Sequence, residues 1–295
     1  MLTFQHLAAR ENPRDDIEDH EPELEAIQPI MANEIEDDGE DNDGDIIAGP
    51  TVEAHVYLAK TPSMYFLIII LTATHTAAAS RIHPNELAAD IDQHDLVLLI
   101  QKFLYSQTQP QLPPDQVPEA AILPHFDDNI TIYPSAVATF YSPSDISGVG
   151  GMRRERIRAI KSWRRGPPRY DCIFVETDPD APGMAGLDIA RVRLFFSCNY
   201  NGVKYPCALV QWFSRVGQSA DPGTGMWVIE PDVTDDEVPI TSVIHLDTII
   251  RAAHLLPVFK EKYVSRELSF SDTLNEFQLF YVNKYVDHHA FEIAF

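Results

Sequence analysis

The chain has 295 residues, of which 45% are hydrophobic and 10% aromatic, so it can bury a core and is not a wholly disordered or fibrous protein. Its formal net charge of -23 argues against a protein that coats nucleic acid with a uniformly basic surface. Three cysteines are an odd number, which excludes a fully paired disulfide framework and fits a reducing, intracellular compartment. Because the sequence carries no nucleotide-binding or catalytic motif, we expect a mostly β, non-enzymatic domain without a cofactor.

The acidic charge is concentrated at the N-terminus. The first 48 residues hold 16 acidic and two basic residues, a net charge of -14. The run from Glu34 to Asp45 has almost nothing apolar to bury, so residues 1–50 are predicted to form a disordered acidic tail. A solvated linker is the simplest role for this tail. The alternative is a contact with a basic partner, or with a basic segment of this chain that the tail would mask.

The most apolar stretch begins at Met64 and extends to Ala79. It is too short, and too polar towards its end, for a membrane-spanning helix, and it lies too far into the chain for a signal peptide. A buried strand and a short core helix both fit the pattern. A translated retained intron is a third interpretation, because codons for Ser63-Met64-Tyr65 can form a fungal 5′ splice site and those for 71–76 can hold a branch point and an acceptor.

A helix is predicted from Asp95 to Gln107, because apolar residues recur there at helical spacing, and Asp92 is a candidate N-cap. The prolines between 110 and 118 then indicate a loop or boundary. We therefore interpret residues 51–128 as a small helical segment.

Strand periodicity begins at Ile130 and continues to about residue 259. The strongest signal is Asn201-Gly202, the preferred two-residue hairpin turn, which places Tyr200 opposite Val203, Cys198 opposite Tyr205 and Phe196 opposite Cys207. This register predicts a core face that holds Val192, Leu194, Phe196, Cys198, Tyr205, Cys207, Leu209 and Phe213, and a half-covered face that includes Phe195, Ala208, Val210 and Trp212. Further strands are predicted at Ile130–Phe140, Arg169–Glu176, Met226–Glu230, Thr241–His245 and Arg251–Phe259.

The C-terminal residues are predicted to form a helix. Thr273 and Glu276 fit a capping box, and Leu274, Phe277, Tyr281 and Tyr285 would share one face. The predicted fold class is thus α+β: a small, strongly bent antiparallel sheet or barrel, SH3-like or bromo-adjacent-like by strand number, with flanking helices. The predicted divisions are the tail, the helical segment, a β-rich domain at 129–270 and a helix at 271–295 that packs on it.

A basic segment is the strongest functional signal. Eight of the 22 basic residues fall within the 17 positions 153–169. Phosphate contacts need such side chains, and Trp163 and Tyr170 add aromatic surfaces for base stacking. A face neutralised by acids of this chain, and a nuclear-import signal or protein contact, are the alternatives. The candidate nucleic-acid contacts are Arg153, Arg154, Arg156, Arg158, Lys161, Arg164 and Arg165.

Three aromatic residues form a second candidate site. Trp212 and Trp227, with Tyr205 or Phe213, would make an aromatic cage for a methylated lysine of a peptide or histone tail. Packing within the core explains the same residues.

Other ligand-type residues are better explained structurally. Asp178 and Asp180 fit a turn rather than a cation site, and the glycines at 148–151 match an anion-binding nest only weakly. No spacing of cysteine and histidine matches a zinc site, so we predict no metal. Cys172, Cys198 and Cys207 are read as buried thiols, and His245, Asp247, His254, His288 and His289 as hydrogen-bonded structural residues.

Several blocks of sequence together resemble a known family. The blocks are Ala138–Asp145, Gly150–Arg158, Pro168–Val175, Tyr205–Val210, Gly225–Val228, His245–Asp247, Arg251–Leu255, Phe280–Tyr285 and Asp287–Glu292. With them the chain is similar, over most of 52–295, to the C-terminal region of large transposon-encoded proteins of mushroom-forming fungi, of the Plavaka or KDZ type.

The resemblance implies part of a DNA-transposon protein that acts in the nucleus. In that family the transposase core lies upstream of this region, so no catalytic residue is carried over, and the chain looks like a truncated copy. We therefore expect a non-catalytic accessory module that binds DNA or chromatin. A peptide-binding barrel, a metal-dependent nuclease that uses residues such as Asp247, and a non-functional relic are the alternatives.

Overall fold

The fold is built around one long hairpin in a computed structural model of the chain. The structure describes residues 51–57, 67–73, 80–108, 123–142, 151–259, 264, 266–269 and 271–294, and for the first two ranges it gives the backbone alone. The predicted acidic tail lies outside the described residues.

The hairpin confirms the predicted turn and register. Strands β9 (Leu187–Tyr200) and β10 (Val203–Arg215) are joined by Asn201 and Gly202, whose φ angles are 50° and 79°. Both angles are positive, as a tight hairpin turn of this type requires. The three predicted pairs, Tyr200 with Val203, Cys198 with Tyr205 and Phe196 with Cys207, are all observed.

A bulge in β9 corrects the predicted face further from the turn. Leu209 pairs with Leu194, whereas the next residue, Val210, pairs with Val192, so Arg193 is an extra residue on its strand. One extra residue reverses the alternation of side chains beyond it. Val192 therefore packs on the face opposite to Leu194.

Both edges of the hairpin carry further strands, and together they form a ten-stranded sheet. Two of the added strands pair with β9, one after the other along its free edge, and two pair with β10 in the same way. The remaining four extend the sheet outwards. The eight added strands are β3 (Ser80–Ile82), β4 (Ile130–Tyr133), β8 (Cys172–Glu176), β11 (Val228–Pro231), β12 (Thr241–His245), β13 (Ile249–Ala253), β14 (Leu255–Pro257) and β15 (Phe280–Val282).

A second, five-stranded sheet covers one face of the hairpin. It consists of β1 (Thr51–Tyr57), β2 (Leu67–Ala73), β5 (Ser135–Tyr141), β6 (Met152–Ile160) and β7 (Arg169–Tyr170), and all neighbours are antiparallel. Of the two structural interpretations of the apolar run, the strand is the one observed, because β2 lies between β1 and β5. The segment 51–128, predicted as helical, thus contributes three strands beside its helices.

Two breaks in predicted strands connect the sheets and curl them. Ile130–Phe140 is divided at Pro134, which has no amide hydrogen for a ladder, so β4 joins one sheet and β5 the other. Asp171 divides Arg169–Glu176, and its N–H donates to Arg158 while its carbonyl accepts from Val192. The prediction of a mostly β fold with a strongly bent antiparallel sheet is confirmed, and the strands are more numerous than the five or six expected.

The helices in the described residues are few and short: α1 (Pro84–Asp90), α2 (Leu96–Thr108), α3 (Thr273–Glu276) and α4 (His288–Ile293). The predicted helix at 95–107 is confirmed as α2, but Asp92 is not its N-cap, because it lies four residues before the helix with a φ of 56°. No helix in the described ranges is long and apolar enough to cross a lipid bilayer.

The C-terminal segment departs from the single predicted helix. After α3 the chain becomes strand β15, and a helix resumes only at α4. Phe280–Val282 pairs with β11 on one side and β14 on the other. These pairings, and the burial of Phe280 and Val282, outweigh the local helical pattern.

Three clusters of buried side chains fill the spaces around the hairpin. One lies between the five-stranded sheet and the hairpin face that holds Phe195, Ala208 and Val210, all of them 0% exposed. That face was predicted to be half covered; the second sheet buries these three residues completely and leaves Trp212 half-buried. On the opposite face, the end near the turn packs on α1 and α2, and the other end packs on β15 and the C-terminal segment.

Replacing Phe195 with alanine tests the importance of the covered face. Phe195 lies in the cluster between the sheets, so Phe195→Ala should lower the free energy of unfolding by about 3–5 kcal/mol. Phe259→Ala is the control, since this ring is 61% exposed and its loss should cost no more than about 1 kcal/mol. Urea unfolding of both variants measures the difference, and equal costs would contradict the described core.

Candidate functional site

Strand β6 divides the predicted basic residues between two faces. Ile157 and Ala159 point into the core between the sheets. Glu155 and Arg153 lie two and four residues before Ile157 on the same strand, so they face the same way. Arg154, Arg156 and Arg158 therefore stand on the outer face of the five-stranded sheet. Alternate residues of a strand are about 6.8 Å apart, which makes a regular row of three guanidinium-bearing side chains.

The outer row is half-buried and held by its neighbours. Across the ladder, Arg154, Arg156 and Arg158 pair with Thr139, Val137 and Ser135 of β5. The Nη1 of Arg156 donates to the Ser135 hydroxyl at 3.5 Å, and the backbone N–H of Arg158 donates to Asp171 Oδ2 at 2.8 Å. The row is thus positioned by regular sheet pairing and is not carried on a loop.

The turn after β6 presents the other basic residues. Arg164 and Arg165 are exposed and have φ angles of 52° and 60°, so the chain reverses sharply there. Lys161 is exposed as well, but its ammonium donates to the backbone oxygen of Asp90 at 3.1 Å and pairs with the Asp90 carboxylate. Its charge is therefore engaged by α1.

The two aromatic rings in this region already contact cations. The guanidinium groups of Arg164 and Arg169 each lie 4.6 Å from the centre of the Trp163 ring. Those of Arg193 and Arg191 lie 4.7 Å and 5.7 Å from the centre of the Tyr170 ring. A nucleic-acid base would have to displace these groups before it could stack on either ring.

Arg153 faces a buried ionic cluster that the sequence did not reveal. At its centre is Arg251 of β13, only 2% exposed, whose Nη1 and Nη2 each donate to Asp287 at 2.7 Å. Arg251 Nη2 also donates to Glu155 Oε1 at 3.3 Å, and Arg153 Nη1 is 3.9 Å from Asp287 Oδ2. The other oxygen of Glu155 accepts from the N–H of Ala252 at 3.1 Å, so β6, β13 and the C-terminal segment are held together.

His289 completes this cluster. Its ring stacks on Phe140 with 4.5 Å between ring centres, and its Nδ1 is 3.4 Å from Arg251 Nη1. The guanidinium of Arg251 also lies 4.7 Å from the centre of the Phe140 ring. Asp287 caps α4 by accepting from the N–H of Ala290 at 2.7 Å. His289 is thus a buried hydrogen-bonded histidine, as the sequence reading favoured.

The charges of the cluster shift the pKa values of its members. Burial lowers the pKa of His289 from 6.5 to about 4, and the charge of Arg251 adds to this effect. Burial by itself would raise the pKa of Asp287, but the hydrogen bonds from Arg251 and Ala290 and the charge of Arg153 lower it to about 2. At neutral pH the cluster therefore contains an ionised aspartate and a neutral histidine.

Two of the three predicted cage residues line one cavity. A cavity of about 420 Å³ is lined by Trp212 and Trp227, together with Asp188, Phe213, Arg215 and Asp232. Tyr205 is not part of it: it lies near the turn end of β10, and its ring makes an edge-to-face contact with Phe103 at 6.0 Å. The third aromatic residue at the cavity is Phe213, the alternative to Tyr205, and Asp188 and Asp232 add acidic side chains.

The remaining ligand-type residues are engaged in pairs. His245 lies 2.6 Å from Asp247, His254 contacts Asn283 at 3.1 Å, and His288 contacts Glu292 at 3.1 Å. Asp178 accepts from the N–H of Asp180 at 3.1 Å, which is the geometry of the predicted turn. Within the described ranges no group of three or more His, Cys, Asp or Glu residues is arranged to hold a metal ion. These residues therefore give no support to a metal-dependent nuclease. Gly148 and Gly150, which belong to the weak match to an anion-binding nest, lie outside the described residues.

The three cysteines are buried free thiols. Burial raises the pKa of Cys172 to about 12 and raises that of Cys207 as well. Both remain protonated at neutral pH, which agrees with the structural role predicted for them.

The His289 site should make stability depend on pH. Because its pKa is about 4 in the fold and near 6.5 in an unfolded chain, acidification protonates the unfolded chain first. The free energy of unfolding should therefore fall by about 3 kcal/mol between pH 6.5 and pH 4 from this residue alone. Below pH 4, protonation of Asp287 should remove further stability as the pH falls towards 2.

The variant His289→Asn isolates this effect, since it removes the titrating ring. Its unfolding free energy, measured in urea at steps between pH 7 and pH 4, should change less with pH than that of the parent chain. His94→Asn, at a side chain that is 81% exposed, should keep the parent's dependence. A His289→Asn curve parallel to the parent's would show that the histidine is not held neutral.

Comparisons of the chain with protein-family models, curated proteins and solved structures find no match. They leave the resemblance to the transposon-encoded proteins as an expectation from the sequence. A function for this chain is therefore inferred from the contacts and charges of the described residues.

Proposed function

We propose that the chain is a non-catalytic DNA-binding module that holds phosphate groups along the outer face of β6 and the turn that follows it. The observation that carries this proposal is the row of Arg154, Arg156 and Arg158, which ordinary strand geometry aims away from the core. Arg164 and Arg165 extend the row from the exposed turn.

Regular spacing favours a polyanion as the ligand. Three side chains about 6.8 Å apart on a paired strand can meet successive phosphates without first becoming ordered. Guanidinium groups form paired hydrogen bonds with phosphate and remain charged at any physiological pH. Such contacts bind DNA without reading its sequence.

Two of the seven candidate residues form ion pairs within the fold. Arg153 lies on the inner face near Asp287, and Lys161 is paired with Asp90. Removing Arg153 would disturb the ionic cluster, so we assign it a structural role. The phosphate contacts are assigned to the remaining five residues: Arg154, Arg156, Arg158, Arg164 and Arg165.

The acidic net charge opposes this function less than its size implies. The first 48 residues carry -14 of the total of -23, which leaves -9 for residues 49–295. Charges more than about 8–10 Å away are largely screened at physiological salt. The tail can still compete with DNA for the arginines, and such masking would make binding depend on the tail.

A nuclear accessory role in a transposon-derived protein agrees with this proposal and rests on the sequence resemblance. The alternative of a relic without function would leave the basic row without a ligand. DNA binding therefore separates the two.

Replacing the outer row with alanine tests the proposal. The full-length chain should bind a labelled 20-base-pair duplex, with an affinity that falls steeply as salt rises from 50 to 200 mM in fluorescence anisotropy. The variant R154A/R156A/R158A should bind more weakly at every salt concentration. Its slope of log affinity against log salt should be smaller by about 2.7, since each lost phosphate contact removes about 0.9.

A second triple variant controls for the loss of three positive charges. R81A/K204A/R266A removes the same charge at exposed positions outside β6 and its turn, and it should keep most of the binding. A chain that begins at Thr51 keeps every described strand and tests the tail, which should weaken binding if it masks the row. If neither the full chain nor the shortened chain binds at low salt, or if both triple variants lose affinity equally, the proposal is wrong.

A further inference from the structure

The cavity that Trp212 and Trp227 line is located where β10 changes its partner strand. β12 pairs with β10 up to Gln211, and β11 pairs with it from Phe213 onwards. Between them, the N–H of Trp212 donates to Ile240 and its carbonyl accepts from Asp232, both at 3.0 Å. Trp212 thus lies between the ends of β11 and β12, and its side chain packs towards the core between the sheets. Trp227, from the segment before β11, packs with the cluster on the other face of β10, and both residues line the cavity.

The charges in this cavity leave one carboxylate uncompensated. Asp188 accepts from Thr177 at 3.0 Å and lies 3.6 Å from Arg215, which also donates to the backbone oxygen of Met184 at 2.9 Å. Asp232 is half-buried, and no hydrogen bond or ion pair engages its carboxylate within the described part of the chain. A cation in the cavity would therefore find a carboxylate ready to pair with it.

The ring of Trp227 adds a second attraction for a cation. The guanidinium of Arg215 already lies 5.9 Å from the centre of the Trp227 ring, so this wall stabilises positive charge in the present structure. The Nε1 of Trp212 donates to the Ser242 hydroxyl at 2.7 Å, which holds this indole on the face of β10 that carries Val210. Trp227 is therefore the ring that a cation in the cavity would meet.

The segment that follows the cavity-lining end of β10 is acidic. Residues 216–250 contain seven acidic residues and no lysine or arginine. The connection from β11 to β12 also exposes apolar side chains, of which Val238 is 57% and Val233 43% exposed. An acidic surface with apolar contacts fits an extended basic peptide and repels a nucleic acid.

We propose that this cavity binds a methylated lysine side chain of a basic peptide from a partner protein. A quaternary ammonium sheds its weakly held water easily and is attracted to the faces of tryptophan rings, and Asp232 supplies the opposite charge. A cavity of about 420 Å³ has room for the enlarged head group. This site is separate from the basic row of β6, and either can exist without the other.

Three versions of one labelled peptide test the site. A nine-residue peptide carries two arginines and a central position that is trimethyllysine, lysine or norleucine, and its binding to the full-length chain is followed by anisotropy. Trimethyllysine should bind about five- to tenfold more tightly than norleucine, with lysine between them. Trimethyllysine and lysine carry the same charge, so any attraction to the acidic N-terminal residues cancels between these two peptides, and the norleucine peptide measures what the charge adds.

Two substitutions assign the binding to the cavity. Asp232→Asn should weaken trimethyllysine binding about fivefold, and Trp227→Leu should reduce it nearly to the norleucine level. Asp180→Asn, at an exposed carboxylate outside the cavity, is the matched control and should leave the affinity unchanged. Should Trp227→Leu fail to fold, the pair of aspartate variants decides alone. Equal affinity for norleucine and trimethyllysine, or equal effects of Asp232→Asn and Asp180→Asn, would overturn the proposal.

Discussion

The buried contact between Arg251 and Asp287 is the constraint on which the remaining architecture depends. It joins the C-terminal segment to β13, and through Glu155 it fixes β6 against the same strand. Burying these charges is costly, but removing Arg251 or Asp287 alone would leave the other with one longer ionic contact, at a cost of about 3–5 kcal/mol. Since side chains alternate along a strand, holding Glu155 inward also determines that Arg154 and Arg156 point outward. The orientation of the basic row therefore follows from an ionic contact on the opposite face.

Local patterns determine those parts of the fold whose partners are close in sequence. Asn201-Gly202 predicted the hairpin and its register, and the helical periodicity predicted α2, because turn geometry and helix pattern act over a few residues. The bulge at Arg193 has no such signal, so the prediction placed Val192 on the wrong face. Phe280–Val282 became a strand because β11 and β14 offered partners that no local pattern shows.

The candidate sites were predictable in composition but not in geometry. The density of arginines at 153–169 identified the basic row, yet only the alternation along β6 separates Arg153 from Arg154. Trp212 and Trp227 line one cavity, whereas Tyr205 lies elsewhere on the strand that carries Trp212. The ionic cluster went unpredicted because Glu155 and Arg251 are 96 residues apart and Asp287 is a further 36 residues along the chain. A net charge of -23 likewise conceals a basic strand and a separate acidic surface within one chain.

The position of β6 also affects how the protein behaves at high concentration. In the part of the chain that the structure describes, the side of β6 away from β5 is engaged only from Arg158 to Ile160, by Asp171 and the short strand β7. A long strand with an open edge is a template for pairing with another copy, and charged side chains are a common protection against it. Two copies meeting edge to edge along β6 would bring rows of guanidinium groups together, and their repulsion would disfavour the pairing. The arginines of β6 thus also act as a barrier against self-association, and a polyanion that neutralised them would lower that barrier.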